Sequence, residues 1–222
     1  MSEVVFHYEQ RRLENNLVAL EPFDPNVHVV RFVEEVKTHP ETFTYIALPV
    51  IETEADFVRE VYDPSQASPE ICLYAVIDKA AGNKYAGVIS LLNTNPVNAV
   101  AEMGAIVFPD FQRTHVGTNA IGLALLYMLD PPPAGGLGLR RVEWLCHAEN
   151  IASRRTALRM EFEFEGILRW HRAFARGSPV EALEKRNGTT GELPGRHTAI
   201  YSIVWDEWDE KRPRVVARME LK

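Results

Sequence analysis

Two short polar segments of the chain have residue types and spacings suited to binding an anionic ligand. The first runs from Gln112 to Thr118, between a predicted strand and a predicted helix, with Gly117 in the first helical turn. The first N–H groups of a helix lack intrahelical partners and lie at the positive end of the helix dipole. A glycine there lets the backbone approach a pyrophosphate closely. The alternative is an ordinary strand–loop–helix turn with a small residue at its start.

The second polar segment begins at Asn150. Asn150 and Ser153 lie one turn apart on one face of a predicted helix, and Ala157 continues that face. Ile151 and Leu158 fall on a different face, which suits packing on a sheet. The polar pair therefore has its own direction and is suited to face a ligand. The alternative is that Asn150 is only the helix N-cap, with Ser153 near it in the first turn.

Strands and helices must alternate along the chain to position these two segments. Hydrophobic periodicity predicts the elements: strands at 17–20, 71–77, 85–92, 99–108, 141–146, 162–171 and 198–205, and helices at 25–37, 53–61, 116–129 and 150–160. The second and third strands, joined through Gly82-Asn83, form a hairpin. This order predicts one α/β domain with a mixed sheet.

Composition and charge limit the classes of function. The 222 residues are 46% hydrophobic and 25% charged, which fits a single globular domain. The net charge of −7 disfavours a nucleic-acid binder, which needs a basic face. The sequence has no apolar run long enough to span a membrane and no signal-peptide pattern. Two cysteines, Cys72 and Cys146, with no CxxC, favour a reducing compartment. We therefore expect a cytoplasmic protein with no nucleic-acid or membrane partner.

Several short motifs follow one another in a specific order between residues 112 and 208, within a resemblance that covers about 17–208. They are Gln112-Arg113-Thr114-His115-Val116-Gly117, Trp144-Leu145-Cys146, Asn150-Ile151-Ala152-Ser153-Arg154, Glu161-Phe162, Glu165-Gly166, Gly195-Arg196-His197-Thr198, Tyr201-Ser202-Ile203 and Glu207-Trp208. With these motifs the chain resembles the GNAT superfamily of acyl-CoA-dependent N-acetyltransferases, in the branch of the ribosomal-protein acetyltransferases RimJ and RimL.

The resemblance implies a single GNAT-type α/β domain. Its central sheet is expected to be mixed, mostly antiparallel, of about seven strands, splayed at strands four and five and flanked by helices. The domain is expected at 17–208, after a frayed segment at 1–16 and before a charged tail at 209–222. Acetyl-CoA is the implied co-substrate, lying in the splay, and no metal is implied. The residues implied to bind it are Ala105, Ile106, Val107, Gln112, Arg113, Thr114, His115, Val116, Gly117, Thr118, Asn150, Ser153 and Arg154.

The implied reaction is attack of a neutral amine on a thioester, which needs a base and a donor for the developing oxyanion. By position in the family, Glu102 is the candidate base and Ser153 the candidate acid or donor. The alternative for Glu102 is an exposed strand residue or a hairpin salt bridge. His147 follows a strand and is a second candidate base, or a loop histidine without a role.

Aromatic residues and histidines are the candidates for lining the acceptor pocket. These candidate substrate residues are Trp144, Trp170 and His171. For Trp144, a place in the aromatic core is the favoured alternative. The sequence has no Walker A run, no GxSxG and no HExxH motif.

The chain departs from the family pattern at three positions. His115 replaces the first glycine of the anion-binding loop, so a side chain must be tolerated there. Glu161 replaces the glycine that ends the Asn150 helix; because glutamate is unfavourable in a left-handed cap, we expect that helix to end differently. His197 replaces an aspartate. The polar stretch 176–196, with four glycines, is predicted to be a long loop.

Three hypotheses on function follow from the motifs. The leading one is an N-acetyltransferase that acts on a primary amine of a small molecule or a protein N-terminus, as a monomer or homodimer. The second is a non-catalytic acyl-CoA-binding module that regulates a partner. The third is a structural domain that has lost CoA binding because of His115.

Overall fold

The strands of the protein form one mixed sheet. The structure, a computed structural model, describes residues 6–174, 193 and 195–220. The eight strands have the order β1-β2-β3-β4-β5-β6-β8-β7. They are β1 (Leu13–Glu14), β2 (Val18–Pro22), β3 (Cys72–Asp78), β4 (Lys84–Asn95), β5 (Val100–Val107), β6 (Arg141–His147), β7 (Glu163–Ala173) and β8 (Gly195–Val204). The expected mixed, mostly antiparallel GNAT-type sheet is confirmed, with eight strands rather than about seven.

Within the described residues, six α-helices flank the sheet. They are α1 (Pro25–Thr38), α2 (Glu54–Phe57), α3 (Asp63–Ala67), α4 (His115–Leu129), α5 (Ile151–Arg159) and α6 (Trp205–Glu220). A π-helical turn at Val58–Tyr62 joins α2 to α3. The segment therefore continues past Asp63-Pro64, where the sequence predicted its end, because a proline is tolerated in the first turn of a helix. No helix in the described part of the chain is long and apolar enough to cross a membrane.

The helices cover the two faces of the sheet. Phe32 of α1 lies against Phe108, just beyond β5, with ring centroids 6.3 Å apart. On the other face, a Cβ built on Gly117 of α4 would meet Val107. Phe108 and Val107 are consecutive, and consecutive strand residues point to opposite faces. The α1 layer and the α4 layer therefore sandwich the sheet, and α6 packs on α4.

The sheet opens between β5 and β6. These two strands form the only parallel pair in the described sheet, and their register is Val100↔Arg141, Ala101↔Val142 and Glu102↔Glu143. Beyond Glu102, β5 pairs with β4 alone, and beyond Glu143, β6 pairs with β8 alone. The splay predicted for this pair of strands is therefore confirmed, and Glu102 marks the point where it begins.

Both ends of the described chain join the domain. Gln10 Nε2 donates to the Leu73 carbonyl at 2.7 Å, and the Tyr127 hydroxyl donates to the carbonyl of Glu9. Residues from the segment predicted to fray thus contribute β1, which is the additional strand. At the other end, residues 209–220 continue α6 rather than forming a tail. Trp208 of α6 donates its indole N–H to Asp130 Oδ1 at 2.7 Å.

The helix after Asn150 ends in a left-handed residue. Glu161 has a φ of +70°, so the expectation that its side chain would make the helix end differently is wrong. Two arginines of α6, Arg214 and Arg218, bind its carboxylate. The predicted loop at 176–196 lies outside the described residues except for Leu193, Gly195 and Arg196.

Candidate active site

Glu102 lies buried where the splay begins, with only 6% of its surface exposed. Its Oε2 accepts hydrogen bonds from Asn93 Nδ2 at 2.7 Å and Arg172 Nη2 at 3.3 Å. Burial raises the pKa of Glu102 above its ordinary value, although Arg172 and Asn93 lower it. Glu102 is therefore not an exposed strand residue, and its ion pair reaches across to β7 rather than along the β4–β5 hairpin.

Two irregular strand positions direct polar side chains towards Glu102. Asn93 has a φ of +51° at a register shift in the β4–β5 pair, and Trp170 has a φ of +52° at a register shift in the β7–β8 pair. A β-bulge bends its strand and re-aims nearby side chains, and bulges occur often beside active sites. These two bulges bring Asn93 and Arg172 to the same carboxylate.

Ser153 lies on the opposite face of the sheet from Glu102. Its Oγ accepts a hydrogen bond from Trp144 Nε1 at 3.0 Å. Trp144 follows Glu143, the strand partner of Glu102, and consecutive strand residues point to opposite faces. Glu102 therefore borders the opening between β5 and β6 from the α1 side, and Ser153 borders it from the α5 side.

Asn150 caps α5. Its Oδ1 accepts the Ser153 N–H at 3.0 Å, so the N-cap interpretation of this residue is confirmed. The cap uses the side-chain oxygen and leaves the Nδ2 group as a donor. Arg154, a candidate ligand for phosphate, donates from Nε to the Tyr201 hydroxyl at 2.8 Å and from Nη1 to the Ala148 carbonyl at 3.1 Å. These contacts hold Arg154 against the sheet.

Cys146 does not have the surroundings of a nucleophile. The thiol is buried, and burial raises its pKa although hydrogen bonding to Ser153 lowers it. A thiol needs a lowered pKa to be reactive near neutral pH. Cys146 therefore acts as a small packed residue beside the opening.

The loop that leads into α4 has an ordered N-terminal cap. The Thr114 hydroxyl accepts the Val116 N–H at 3.2 Å and donates to the Phe111 carbonyl at 2.6 Å. Gln112 Nε2 donates to the Val107 carbonyl at 3.0 Å, which fixes the loop to the end of β5. Arg113 has a φ of +60°, a strained conformation for a residue with a side chain. Such strain is concentrated at functional sites.

Gly117 has no packing reason to be glycine. A Cβ at this position would meet Val107 Cγ2 at 3.5 Å, an ordinary contact, and the next residue in the helix, Thr118, carries a full side chain. A glycine inside a helix costs about 1 kcal/mol relative to alanine. The surface next to Gly117 is therefore kept open at the positively polarised end of α4, which fits a phosphate group of a ligand.

His115 is accommodated by turning towards another strand. Its Nε2 lies 3.1 Å from Oδ1 of the buried Asp78, at the end of β3. In the sheet, β3 is separated from the opening by β4 and β5. The side chain that replaces the family glycine therefore points away from the β5–β6 opening.

His147 is a packed residue at the end of β6. It is buried, its ring centroid lies 5.0 Å from that of Tyr45, and it stacks on Phe174 at 6.4 Å. Its Nδ1 accepts the Glu149 N–H at 3.1 Å. The neutral ring therefore carries its proton on Nε2, which makes that nitrogen a donor rather than a base.

The three candidate substrate residues have different surroundings. Trp144 packs in the core against Phe162, as its alternative interpretation predicts. Trp170 has 49% of its surface exposed, and its backbone N–H donates to His197 Nδ1 at 2.9 Å. His171 Nδ1 lies 3.2 Å from Thr198 Oγ1, and burial lowers its pKa.

Sequence reasoning missed the arginines near Glu102. Arg172 lies outside the motifs that the sequence offers, and Arg196 belongs to one of them without a predicted role. Both lie on the Glu102 face of the sheet, directly opposite each other in the β7–β8 ladder. The motif Gly195-Arg196 was the one available signal, since nothing in the local sequence reveals the strand register.

The fold combines a sheet that splays between β5 and β6 with a helix, α4, whose capped N-terminus follows the end of β5. A family model described as an acetyltransferase (GNAT) domain matches residues 18–163. The chain belongs to the GNAT acetyltransferase family.

Solved structures share the fold of this chain. A GCN5-related N-acetyltransferase from Brucella melitensis is 30% identical, with a TM-score of 0.77, covering 96% of this chain and 87% of that chain. RimJ of Mycobacterium smegmatis, in complex with CoA-disulfide, is 15% identical, with a TM-score of 0.69 and coverage of 90% and 88%. RimL, a ribosomal L7/L12 alpha-N-protein acetyltransferase, is 16% identical, with a TM-score of 0.68 and coverage of 87% and 93%. No curated protein sequence matches the chain.

Proposed function

We propose that this protein transfers the acetyl group of acetyl-CoA to a primary amine. The observation that carries the proposal is the position of Glu102 and Ser153, which border the β5–β6 opening from opposite faces of the sheet. A buried carboxylate with a raised pKa and a hydroxyl donor are the two groups that the reaction needs.

The loop before α4 is the proposed site of the pyrophosphate. The free N–H groups at the start of α4, next to the open surface of Gly117, suit its negative charge. The backbone of 105–107 lines the opening and lacks a partner on the β6 side, so it is suited to the pantetheine arm. The Nδ2 group of Asn150 is the donor proposed on the α5 side. CoA binding by RimJ, which has the same fold, supports this arrangement.

The proposed reaction is a direct transfer without a covalent enzyme intermediate. Glu102 accepts a proton from the ammonium group of the acceptor, directly or through water. The amine nitrogen then attacks the thioester carbonyl carbon, so a C–N bond forms and, as the tetrahedral intermediate collapses, the C–S bond breaks. In that collapse the nitrogen loses its second proton, which passes through water to replace the one that Ser153 gives to the thiolate. The leaving thiolate takes the electron pair of the C–S bond and is protonated, with the Ser153 hydroxyl as the nearby donor. The Ser153 Oγ accepts from Trp144 and also hydrogen-bonds with the Cys146 thiol, which holds the hydroxyl beside the opening.

The acceptor is proposed as a small-molecule amine or a peptide N-terminus. RimL is a protein N-terminal acetyltransferase, which supports an α-amine as one class of acceptor.

The experiment that tests the proposal is release of free CoA thiol from acetyl-CoA against a panel of small amines and N-terminal peptides. We expect turnover with at least one acceptor, and a loss of turnover in Glu102→Gln and Ser153→Ala. Glu70→Gln, at an exposed glutamate with no role in the proposed reaction, is the matched control.

Binding is measured separately from turnover by thermal unfolding. Acetyl-CoA at 100 times its dissociation constant raises the stability of a binding protein by about 2.7 kcal/mol. A shift in melting temperature without turnover of any acceptor would favour a non-catalytic acyl-CoA-binding module. If acetyl-CoA causes no shift in melting temperature and no acceptor is turned over, the proposal is wrong.

A further inference from the structure

Two arginines face each other next to Glu102. Arg172 of β7 and Arg196 of β8 are direct partners in an antiparallel ladder. Like charges directly opposite each other on neighbouring strands are destabilising. Their side chains lie on the same face of the sheet, so the pair needs an anion beside it.

One carboxylate serves both guanidinium groups. Arg172 Nη2 lies 3.3 Å from Glu102 Oε2, and both arginines interact with Glu102 electrostatically. The next carboxylates along this face, Glu143 and Glu165, are bound to Arg141 at 2.7 and 2.6 Å. Among the described residues, the cluster of Glu102, Arg172 and Arg196 therefore carries one positive charge in excess when Glu102 is ionised.

The two arginines differ in solvent exposure and in how firmly hydrogen bonds hold their side chains. Arg196 is 6% exposed and is held by bonds from Nε to Thr198 Oγ1 at 3.2 Å and from Nη1 to the Tyr45 carbonyl at 3.1 Å. Arg172 has 39% of its side chain exposed, and the bulge at Trp170 sets its position. Arg196 thus supplies a fixed buried charge, and Arg172 supplies a guanidinium that is accessible next to the candidate base. A buried charge is costly unless it is paired.

We propose that the acceptor carries its own anionic group, a carboxylate or a phosphate, which Arg172 and Arg196 bind while Glu102 receives the amine. This inference rests on the proposed acetyl transfer and names the class of its acceptor. The planar guanidinium fork matches the oxygen pairs of carboxylates and phosphates. An acceptor with a positive amine and a nearby negative group matches the charges of the cluster, whereas a polyamine does not.

Matched acceptors test the proposal. Turnover is compared between an amino acid and its carboxamide, and between 2-aminoethyl phosphate and ethanolamine. We expect kcat/KM to be about 10- to 100-fold higher for the anionic member of at least one pair, since hydrogen bonds to charged groups contribute this much. A difference within the amino acid pair indicates a site for a carboxylate, and a difference within the 2-aminoethyl phosphate pair indicates a site for a phosphate. Rates are compared at equal concentrations of the neutral amine, because the members of a pair differ in amine pKa.

Substitution of Arg172 separates recognition from support of Glu102. Measured at alkaline pH, where Glu102 is ionised in both proteins, Arg172→Gln is expected to raise KM for the anionic acceptor about 10-fold or more and to raise KM for its neutral partner far less. Arg172→Lys should restore part of the preference, because it keeps the charge without the fork. Arg169→Gln, at an exposed arginine on the same strand, is the control that should leave both acceptors unchanged. Equal losses with both acceptors would mean that Arg172 only positions Glu102, and would overturn the proposal.

Binding gives a readout that does not depend on turnover. Calorimetric titration with the preferred anionic acceptor should show binding by the wild-type protein and by Glu102→Gln, and weaker binding by Arg172→Gln. Turnover that is equal for neutral and anionic acceptors would overturn this inference and leave the acetyltransferase proposal standing. A second outcome is that no acceptor is acetylated, yet an anionic member of a pair binds the wild-type protein more tightly than Arg172→Gln. The acetyltransferase proposal then fails, and the anion site remains. If none binds through Arg172, the anion site is overturned.

Discussion

Arg218 of α6 donates to Glu161 Oε1 from both Nε, at 3.1 Å, and Nη2, at 2.7 Å. Glu161 is the residue that ends α5 in a left-handed conformation, which costs about 1–2 kcal/mol for a residue with a side chain. Arg214 adds a contact of 3.2 Å to the same carboxylate. The C-terminal helix therefore holds the turn that connects α5 to β7, in place of the glycine that the family uses there.

Replacing Glu161 with glycine should change the free energy of unfolding by different amounts in two backgrounds. In the wild-type protein, Glu161→Gly relieves the left-handed strain but removes the ion pairs, so we expect a small net change in the free energy of unfolding. In an Arg214→Gln/Arg218→Gln background only the strain is removed, and Glu161→Gly should stabilise by about 1 kcal/mol. Urea unfolding of the four proteins measures the coupling. Equal effects in both backgrounds would show that α6 does not support this turn.

The elements around the opening were predictable because their signals are local. The capping residue Asn150, the glycine-containing loop before α4 and the breaker after β5 are each read from a few adjacent residues. The face of the sheet on which Arg172 lies was not predictable, since it depends on the bulge at Trp170 and on strand pairing across the sheet.

The C-terminal helix was missed for a different physical reason. Residues 209–220 are mostly charged and include Pro213, which interrupts a helical pattern. Their helix is stabilised by tertiary contacts: Trp208 and Arg212 both bind Asp130, and Val215 is fully buried. Helices in proteins depend more on packing of one face than on propensity, so the local sequence underestimates such an element.

Gly117→Ala is expected to stabilise the free protein and weaken ligand binding. The added methyl meets Val107 at an ordinary distance, so the helix should gain about 0.5–1 kcal/mol. The same methyl occupies the surface proposed for pyrophosphate, so the dissociation constant for acetyl-CoA should rise about 10-fold or more. Thermal unfolding with and without acetyl-CoA measures both effects. Gly166→Ala, where a Cβ meets nothing within 4 Å, is the control for binding. Unchanged affinity would place the ligand elsewhere.

Ser153→Ala should reduce the rate of acetyl transfer more than the binding of acetyl-CoA. Loss of the proposed donor should lower kcat about 100-fold. The variant also leaves the buried Trp144 N–H without its acceptor, which costs about 1–3 kcal/mol of stability. Steady-state kinetics are therefore compared with melting temperature, and Ser153→Thr, which retains a hydroxyl, serves as the rescue. A fall in stability with normal kcat would show that Ser153 only supports Trp144.

Glu165 should make the stability of the protein depend on acid pH. Hydrogen bonds from Arg141 lower the pKa of Glu165 to about 2, with a further contribution from Ser202. A carboxylate with a lowered folded-state pKa adds stability above its unfolded pKa, and the gain is lost as pH falls from about 4.5 towards 2. Because the pair is partly exposed, Glu165→Gln should cost about 0.5 kcal/mol at pH 7.

Calorimetry of the wild type and Glu165→Gln from pH 7 to pH 3.5 measures this effect. The difference in melting temperature should be about 1–2 °C at pH 7 and should shrink through the acid range. Glu70→Gln, at an exposed glutamate, should show neither feature. A difference that is constant with pH would contradict the ion-pair explanation.

The raised pKa of Glu102 should appear in the pH profile of the reaction. Burial disfavours its charged form, so the carboxylate becomes protonated, and inactive as a base, at a higher pH than an ordinary glutamate. The value of kcat/KM should therefore rise with pH through this pKa and then level off. In Glu102→Gln this acid limb should be lost and the plateau should fall about 100-fold. The profile is measured with two acceptors whose amines differ in pKa. A limb caused by Glu102 lies at the same pH for both acceptors, whereas a limb caused by ionisation of the acceptor amine moves with that amine.

Arg172 should shift the position of that acid limb. Its positive charge lowers the pKa of Glu102 against the effect of burial. With a neutral acceptor, which has no anion for Arg172 to bind, Arg172→Gln should therefore move the limb to higher pH and leave the alkaline plateau in place. Arg169→Gln should leave the limb where it is. A limb that stays fixed in Arg172→Gln would mean that a group other than Glu102 receives the proton.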